Sequence, residues 1–152
     1  MSIKTQGTQL YFIDSGTVKT MTCPTGITGL GGSRDQIETT CLNATDDKSY
    51  VSGLGNPGQV SVPFVFHTGA ADHKLLLALH DSGDITDWMI GFSDGTTAPT
   101  VVSGQLTMAT TRTAASFDAF VADISIDIAT NEVVRGTMTL QRSGTVAWTW
   151  KV

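Results

Sequence analysis

Asp123-Ile124-Ser125-Ile126-Asp127-Ile128 alternates without a break, isoleucine on one side and Asp or Ser on the other. A period of two marks a strand with one dry and one wet face. Thr130, Asn131 and Glu132 supply a turn, and Val133 to Arg142 runs extended again with Val134, Met138 and Leu140 in phase. Residues from about 116 to 142 therefore predict a long β-hairpin. Further strands are expected at Gln9 to Asp14, Thr17 to Thr22, Gln36 to Leu42, Val60 to Phe66, Asp87 to Phe92 and Val146 to Val152. Pro63 lacks a donor, which makes its strand edge-like or bulged, or turns that side away from a neighbour. One segment departs from the pattern: Ala70 to Ser82 is rich in helix formers, with Thr68 available to cap it, Gly83 at its end, and Leu75, Leu76 and Leu79 as an apolar stripe.

Composition agrees with a mainly β chain. At 152 residues and 16.0 kDa the chain is one domain long enough to bury a core. Charged residues are 15%, against roughly 25% in average soluble domains; 24 Thr, 12 Ser and 16 Gly take their place. That excludes a disordered tail, which needs high charge. With 9 Lys and Arg against 14 Asp and Glu, net -5, charge-driven nucleic-acid binding is also disfavoured. The acids are 12 Asp with only Glu38 and Glu132, a bias toward turns and strands. So little charge on a lone domain suggests that much of its surface faces something other than water. Met1 to Gly7 lacks the apolar region of a signal peptide. No apolar run approaches the roughly 20 residues of a membrane helix. Cys23 and Cys41 are expected as buried free thiols.

Several motifs look like chemistry. Gly53-Leu54-Gly55-Asn56-Pro57-Gly58 spells the dinucleotide string G-x-G-x-x-G, but a strand rather than a helix is expected after it, so it reads as a Gly/Pro turn. Gly91-Phe92-Ser93-Asp94-Gly95 spells the nucleophile elbow G-x-S-x-G, yet no helix follows and no His occurs after His80. His67, His73 and His80 lack metal-ligand spacing and read as surface residues. No metal or cofactor is implied. Trp148 and Trp150 share a strand face, either as a carbohydrate platform or, more commonly, as a buried terminal strand. Thr96 to Ala115 is a long stretch whose only charge is Arg112; its Val101, Val102, Leu106 and Met108 suit an arm that orders against a partner.

Asp35-Gln36-Ile37-Glu38-Thr39-Thr40-Cys41-Leu42, then Ser49-Tyr50-Val51-Ser52-Gly53-Leu54 and Pro57-Gly58, precede the strand to Phe66 and the helix ending Leu79-His80-Asp81-Ser82-Gly83. Trp88-Met89-Ile90-Gly91-Phe92-Ser93-Asp94-Gly95 and the acidic hairpin Phe117 to Arg142 follow. In this order the segments resemble the tail tube (major tail) proteins of long flexible-tailed, lambda-like siphovirus bacteriophages, over roughly residues 1 to 145. The resemblance implies a β-sandwich or barrel with one flanking helix at about residues 70–82. It implies a single tail tube domain over 1–152, with an N-terminal arm 1–9 and a long loop 96–115. It further implies a non-enzymatic virion protein, assembled in the host cytoplasm, whose six copies form a ring and whose rings stack into a tube. The lumen of such a tube holds a tape measure protein and later passes DNA, and tail terminator and tail tip proteins close its ends. The extended Thr96 to Ala115 stretch departs from the family pattern, and the immunoglobulin-like decoration domain that some relatives carry is not expected.

An acidic wall suits that role, because it repels phosphates where a basic one would bind them. Glu38, Thr40, Asp118, Asp123, Ser125 and Asp127 are the lumen-lining candidates. Residues 1 to 9, the glycine loop with Gly29 and Gly31, and Val101, Val102, Leu106 and Met108 are candidates for contacts between subunits or rings. Deletion of 99 to 112 is expected to leave a folded monomer that no longer polymerises. The alternative is a monomeric β-sandwich that binds carbohydrate or serves adhesion through Trp148 and Trp150.

Overall fold

The computed structural model describes residues 2–152. In chain order the strands are β1 (Gln9–Asp14), β2 (Thr17–Thr20), β3 (Ser33–Glu38), β4 (Tyr50–Asn56) and β5 (Gln59–Val65). After the helix α1 (Ala71–Ser82) come β6 (Thr86–Gly91), β7 (Thr100–Val102), β8 (Gln105–Thr107), β9 (Ala114–Asp127) and β10 (Arg135–Thr149). Six form one antiparallel sheet in the order β2-β1-β6-β9-β10-β5, while β3-β4 and β7-β8 are separate two-stranded ribbons. The fold is mainly β with one helix, as expected. No helix among the described residues is long and apolar enough to cross a membrane.

The alternation that predicted the strands also sorts their faces. Leu10, Phe12, Val60, Val62, Phe64, Trp88, Ile90, Phe117, Ala119, Val121, Met138 and Leu140 form one buried cluster on the dry face. Leu76, Leu75 and Leu79 of α1 pack on it, with Met21, Ile27 and Leu30 from the segment after β2. The helix ends at Gly83, whose φ of 70° fits a left-handed C-cap, with its N–H donating to Leu79 O. Its N-cap is Ala70 with no side-chain bond, so Thr68 does not cap it. Tertiary contacts hold that end: the Asp72 carboxylate accepts from the N–H and hydroxyl of Thr22 at 2.5 and 2.8 Å.

Pro63 lies on β5, the last strand of the sheet. Its odd-numbered neighbours face the loop rather than β10: Ser61 exchanges both backbone bonds with Thr28, and Val65 N–H donates to Cys23 O. The missing donor of Pro63 therefore falls on the sheet edge, where it costs no ladder bond. Two expectations change. The segment from Val146 is no separate strand but the far half of β10, continued across an irregularity between Ser143 and Ala147. Tyr50 to Asn56, expected to enter a turn at Gly53, stays extended as β4, and only Pro57 and Gly58 turn before β5.

Candidate functional site

The second face of the large sheet is covered over only part of its width. The β7-β8 ribbon lies over β1 and β6, burying Leu106 and Met108 with Tyr11, Met89 and Ala114, and Val101 packs beside them. This corrects the reading of residues 96–115 as a free arm. Leu106 and Met108 already have intramolecular partners, and Val102 alone of the four apolar residues is largely exposed. The stretch stays on the body because its apolar side chains fill a gap in their own sheet.

Over β9, β10 and β5 that face is bare. Val121 pairs with Leu140 and Asp123 with Thr139, leaving Ala122 unpaired as a bulge. An extra residue shifts the alternation by one, so Asp118 and Phe120 before it share a face with Asp123, Ser125 and Asp127 after it. Opposite them stand Ser143, Gln141, Thr139, Thr137 and Arg135 of β10, then Gln59, Ser61 and Pro63 of β5. Four of the six acidic-wall candidates thus lie together on one polar surface. Asp118 also faces Asp87 across β6. Burial pushes the Asp87 carboxyl above its ordinary value and the charge of Asp118 adds to this, while the Leu106 N–H, 2.7 Å away, opposes it.

Glu38 and Thr40 do not join that surface. Glu38 ends β3 in the β3-β4 ribbon, where it pairs with Lys48 at 3.8 Å. Thr40 lies beyond the strand and accepts the Ser49 N–H at 2.9 Å. Every residue of β3 is exposed, as is most of β4. Ile37, Tyr50, Val51 and Leu54 stand in solvent, Leu54 at 84%, and Leu42 lies in the connecting loop. A two-stranded ribbon is marginal in water by itself. Gly29 and Gly31 lie at its base rather than at a free surface loop: a Cβ on Gly29 would collide with Gln59 O, and Gly31 O accepts from Arg142. Two carbonyls of the N-terminal segment bond to the body, Gly7 O accepting from Arg112 and Lys4 O from Ser93; Met1 of the expected N-terminal arm lies outside the described residues.

The elbow-like string has a structural meaning. Arg112 is fully buried. Its Nε donates to Phe92 O at 2.7 Å, Nη1 to Thr97 O and Tyr11 Oη at 2.9 Å and Gln9 Oε1 at 3.2 Å, and Nη2 to Gly91 O at 2.9 Å and Gly7 O at 3.1 Å. A Cβ on Gly91 would stand 2.7 Å from Arg112 Cζ, and one on Gly95 2.9 Å from Arg112 Cβ. Gly91 makes room for the guanidinium and Gly95 for the stem that carries it, and the Asp94 carboxylate accepts the Thr113 N–H at 3.0 Å. Deleting 99 to 112 would remove this residue together with Leu106 and Met108, so a folded monomer is no longer expected from that deletion.

Three other expectations are corrected. Trp148 and Trp150 are 43% and 64% exposed, not a buried terminal strand. Their rings stack on each other at 5.2 Å, and Trp148 stacks on Phe92 at 5.9 Å. Faces spent on one another are closed to a sugar, which a platform must meet side by side. Cys23 and Cys41 are free but exposed. His73 is buried between Phe64 and Phe66. Its Nδ1 accepts the His67 N–H at 3.1 Å, which leaves Nε2 to donate to Thr22 O at 2.9 Å. The described residues bring together no group of three His, Cys, Asp or Glu side chains able to hold a metal ion.

One half of the sheet thus presents an uncovered polar face, and the β3-β4 ribbon beside it is exposed along both strands. The whole sequence, residues 1–152, matches the family described as phage tail tube, lambda-like, and the chain belongs to that family. "Structural protein 3" of Pseudomonas phage PAJU2 is 42% identical over 151 residues, covering 93% of this chain and 90% of that one. The SPP1 tail tube superposes with a TM-score of 0.71 at 13% identity, over 99% of this chain and 81% of that one. A subunit from the tail of an empty gene transfer agent particle, refined helically with C6 symmetry, gives 0.70 at 12% identity over 97% and 99%. A subunit from the sheath/tube terminator of an extracellular contractile injection system, PVC, gives 0.70 at 13% identity over 97% and 96%.

Proposed function

We propose that this tail tube protein polymerises as stacked rings of six, and that the bare face of β9, β10 and β5 forms the wall of the lumen. The observation that carries the reading is the bulge at Ala122, which gathers Asp118, Asp123, Ser125 and Asp127 on the uncovered half of the sheet. Repeated around a ring, each Asp becomes a circle of negative charge. Duplex DNA carries one charge per roughly 1.7 Å and is held by cationic surfaces through counterion release. A wall of mainly Asp, Ser and Thr, in which Arg135 faces Asp127, offers it no net positive charge, so DNA passes through the centre during ejection without being gripped. In the same reading the lumen first houses a tape measure protein, and terminator and tip proteins bind the two ends of the tube. The C6 symmetry of the gene transfer agent tail supports the ring number.

The β3-β4 ribbon is the contact element, with a second copy of this chain as its partner. Its exposed Ile37, Tyr50, Val51 and Leu54 gain burial only between subunits. The protein is a virion component of a siphovirus tail, assembled in the host cytoplasm and without enzymatic activity. Electron microscopy of the concentrated protein tests this: hollow tubes with sixfold end views are expected. A protein that stays monomeric, or a map with Asp123 and Asp127 on the outside of the tube, overturns it.

A further inference from the structure

The β3-β4 ribbon leaves the body on two legs, residues 30–33 and 56–59. The legs run nearly backbone to backbone, since a Cβ on Gly32 would stand 2.6 Å from Asn56 O. No side chain lies between them to set the angle at which the ribbon departs. One residue of the body touches both. Arg142 on β10, 6% exposed, donates through Nη1 to Gly31 O on the first leg and to Pro57 O at 2.8 Å on the second. Its backbone N–H donates to Gly58 O at 3.2 Å, where Gln141 Nε2 also donates at 3.1 Å.

Arg142 is an expensive filler for this position. No carboxylate pairs with it among the described residues, and its Nε has no acceptor. An apolar side chain of similar length would fill the space without burying a cation. What such a side chain lacks is a rigid fork that reaches two separate backbones.

We infer that Arg142 is a positioning residue for assembly, a clamp that fixes the direction of the ribbon so that it meets the next copy preorganised. The inference rests on the contact role proposed above for the ribbon. A loose ribbon samples directions that cannot dock, and apparent affinity falls by the fraction of time spent in them.

The two native cysteines suit the test, because Cys23 lies on the body, Cys41 lies at the far end of the ribbon, and both are exposed. Nitroxide labels on both report the ribbon direction as a distance distribution by pulsed electron resonance on monomers. The wild type is expected to give one narrow distribution. Arg142→Met is expected to broaden it while the body still melts in one cooperative transition, and to raise the concentration needed for tubes about tenfold, the shift from a mostly competent ribbon to one competent a tenth of the time. If Arg142→Met does not fold, Arg142→Lys, which keeps the cation but loses the fork, is read in the same way. An unchanged distribution in the variant that folds overturns the clamp, as does a wild-type distribution already broad. Should the wild type form no tubes, the proposed function fails, whereas the monomer distances still decide the clamp.

Discussion

Replacing Arg112 with methionine tests whether one buried cation organises the end of the sheet. All five N–H groups of the guanidinium are engaged, because Nη1 divides its two among three acceptors. Methionine restores most of the volume and removes the cost of burying charge, but it strands the carbonyls of Gly7, Gly91, Phe92 and Thr97. Gly91 is buried and Phe92 half-buried, while Gly7 and Thr97 are exposed residues whose carbonyls can turn to water. At about 1–2 kcal/mol for each of the two sheltered acceptors, the loss is about 2–4 kcal/mol. Stability for a domain is about 5–15 kcal/mol in total, so the variant folds but with a Tm lower by roughly 4–16 °C. In a urea titration followed by tryptophan fluorescence, the midpoint should fall at unchanged slope. Arg112→Lys, with three donors on one point, should lie between. A loss under about 1 kcal/mol for Arg112→Met would refute the reasoning, since the carbonyls would then have found other donors.

Three further outcomes follow from the same geometry. The Asp87 carboxyl is raised by burial above its unfolded value, so the native state binds the extra proton and stability falls as pH rises through that window. Asp87→Asn keeps an acceptor for Leu106 and should stabilise at neutral pH by under about 1 kcal/mol after solvent screening, with the gain vanishing below the unfolded pKa in a Tm-versus-pH series. Leu54→Asp, at a site 84% exposed, should leave the monomer within about 0.5 kcal/mol of wild type yet abolish tubes in the microscope. Asp123→Lys with Asp127→Lys should give tubes that retain duplex DNA at low salt and release it as salt rises; equal retention by wild-type tubes would remove the acidic wall from the account.

The hairpin was legible because half of its side chains meet the core and half meet water, which writes period two directly into the sequence. Its bulge was legible in principle. Apolar residues fall on odd numbers through Phe117, Ala119 and Val121 and on even numbers from Ile124 onward. Such a change of parity inside one strand demands an extra residue. The β3-β4 ribbon left a fainter trace, since no face of it is buried within the subunit, and Gly53 and Gly55 in β4 resembled a turn. For residues 96–115 the misleading assumption was that apolar side chains outside regular strands seek another chain. Arg112 carried the opposite message: a single cation in an otherwise uncharged stretch has no partner nearby in sequence, so its partners must come from elsewhere in the fold.

Ala122 is a residue that β9 carries without pairing it, so the identity of its side chain matters little. Most small replacements there would leave the bulge, and the side on which every later residue emerges, unchanged. Losing that one codon would set Asp123 directly after Val121, opposite Thr139 and Leu140 as both already are, and plain alternation would keep Asp123, Ser125 and Asp127 on the polar face. What inverts the surface is pairing straight through Ala122: the three polar residues would then turn toward the core and Ile124, Ile126 and Ile128 outward. Relatives of this chain are expected to vary freely at this position, or to lack it, while keeping the same face polar.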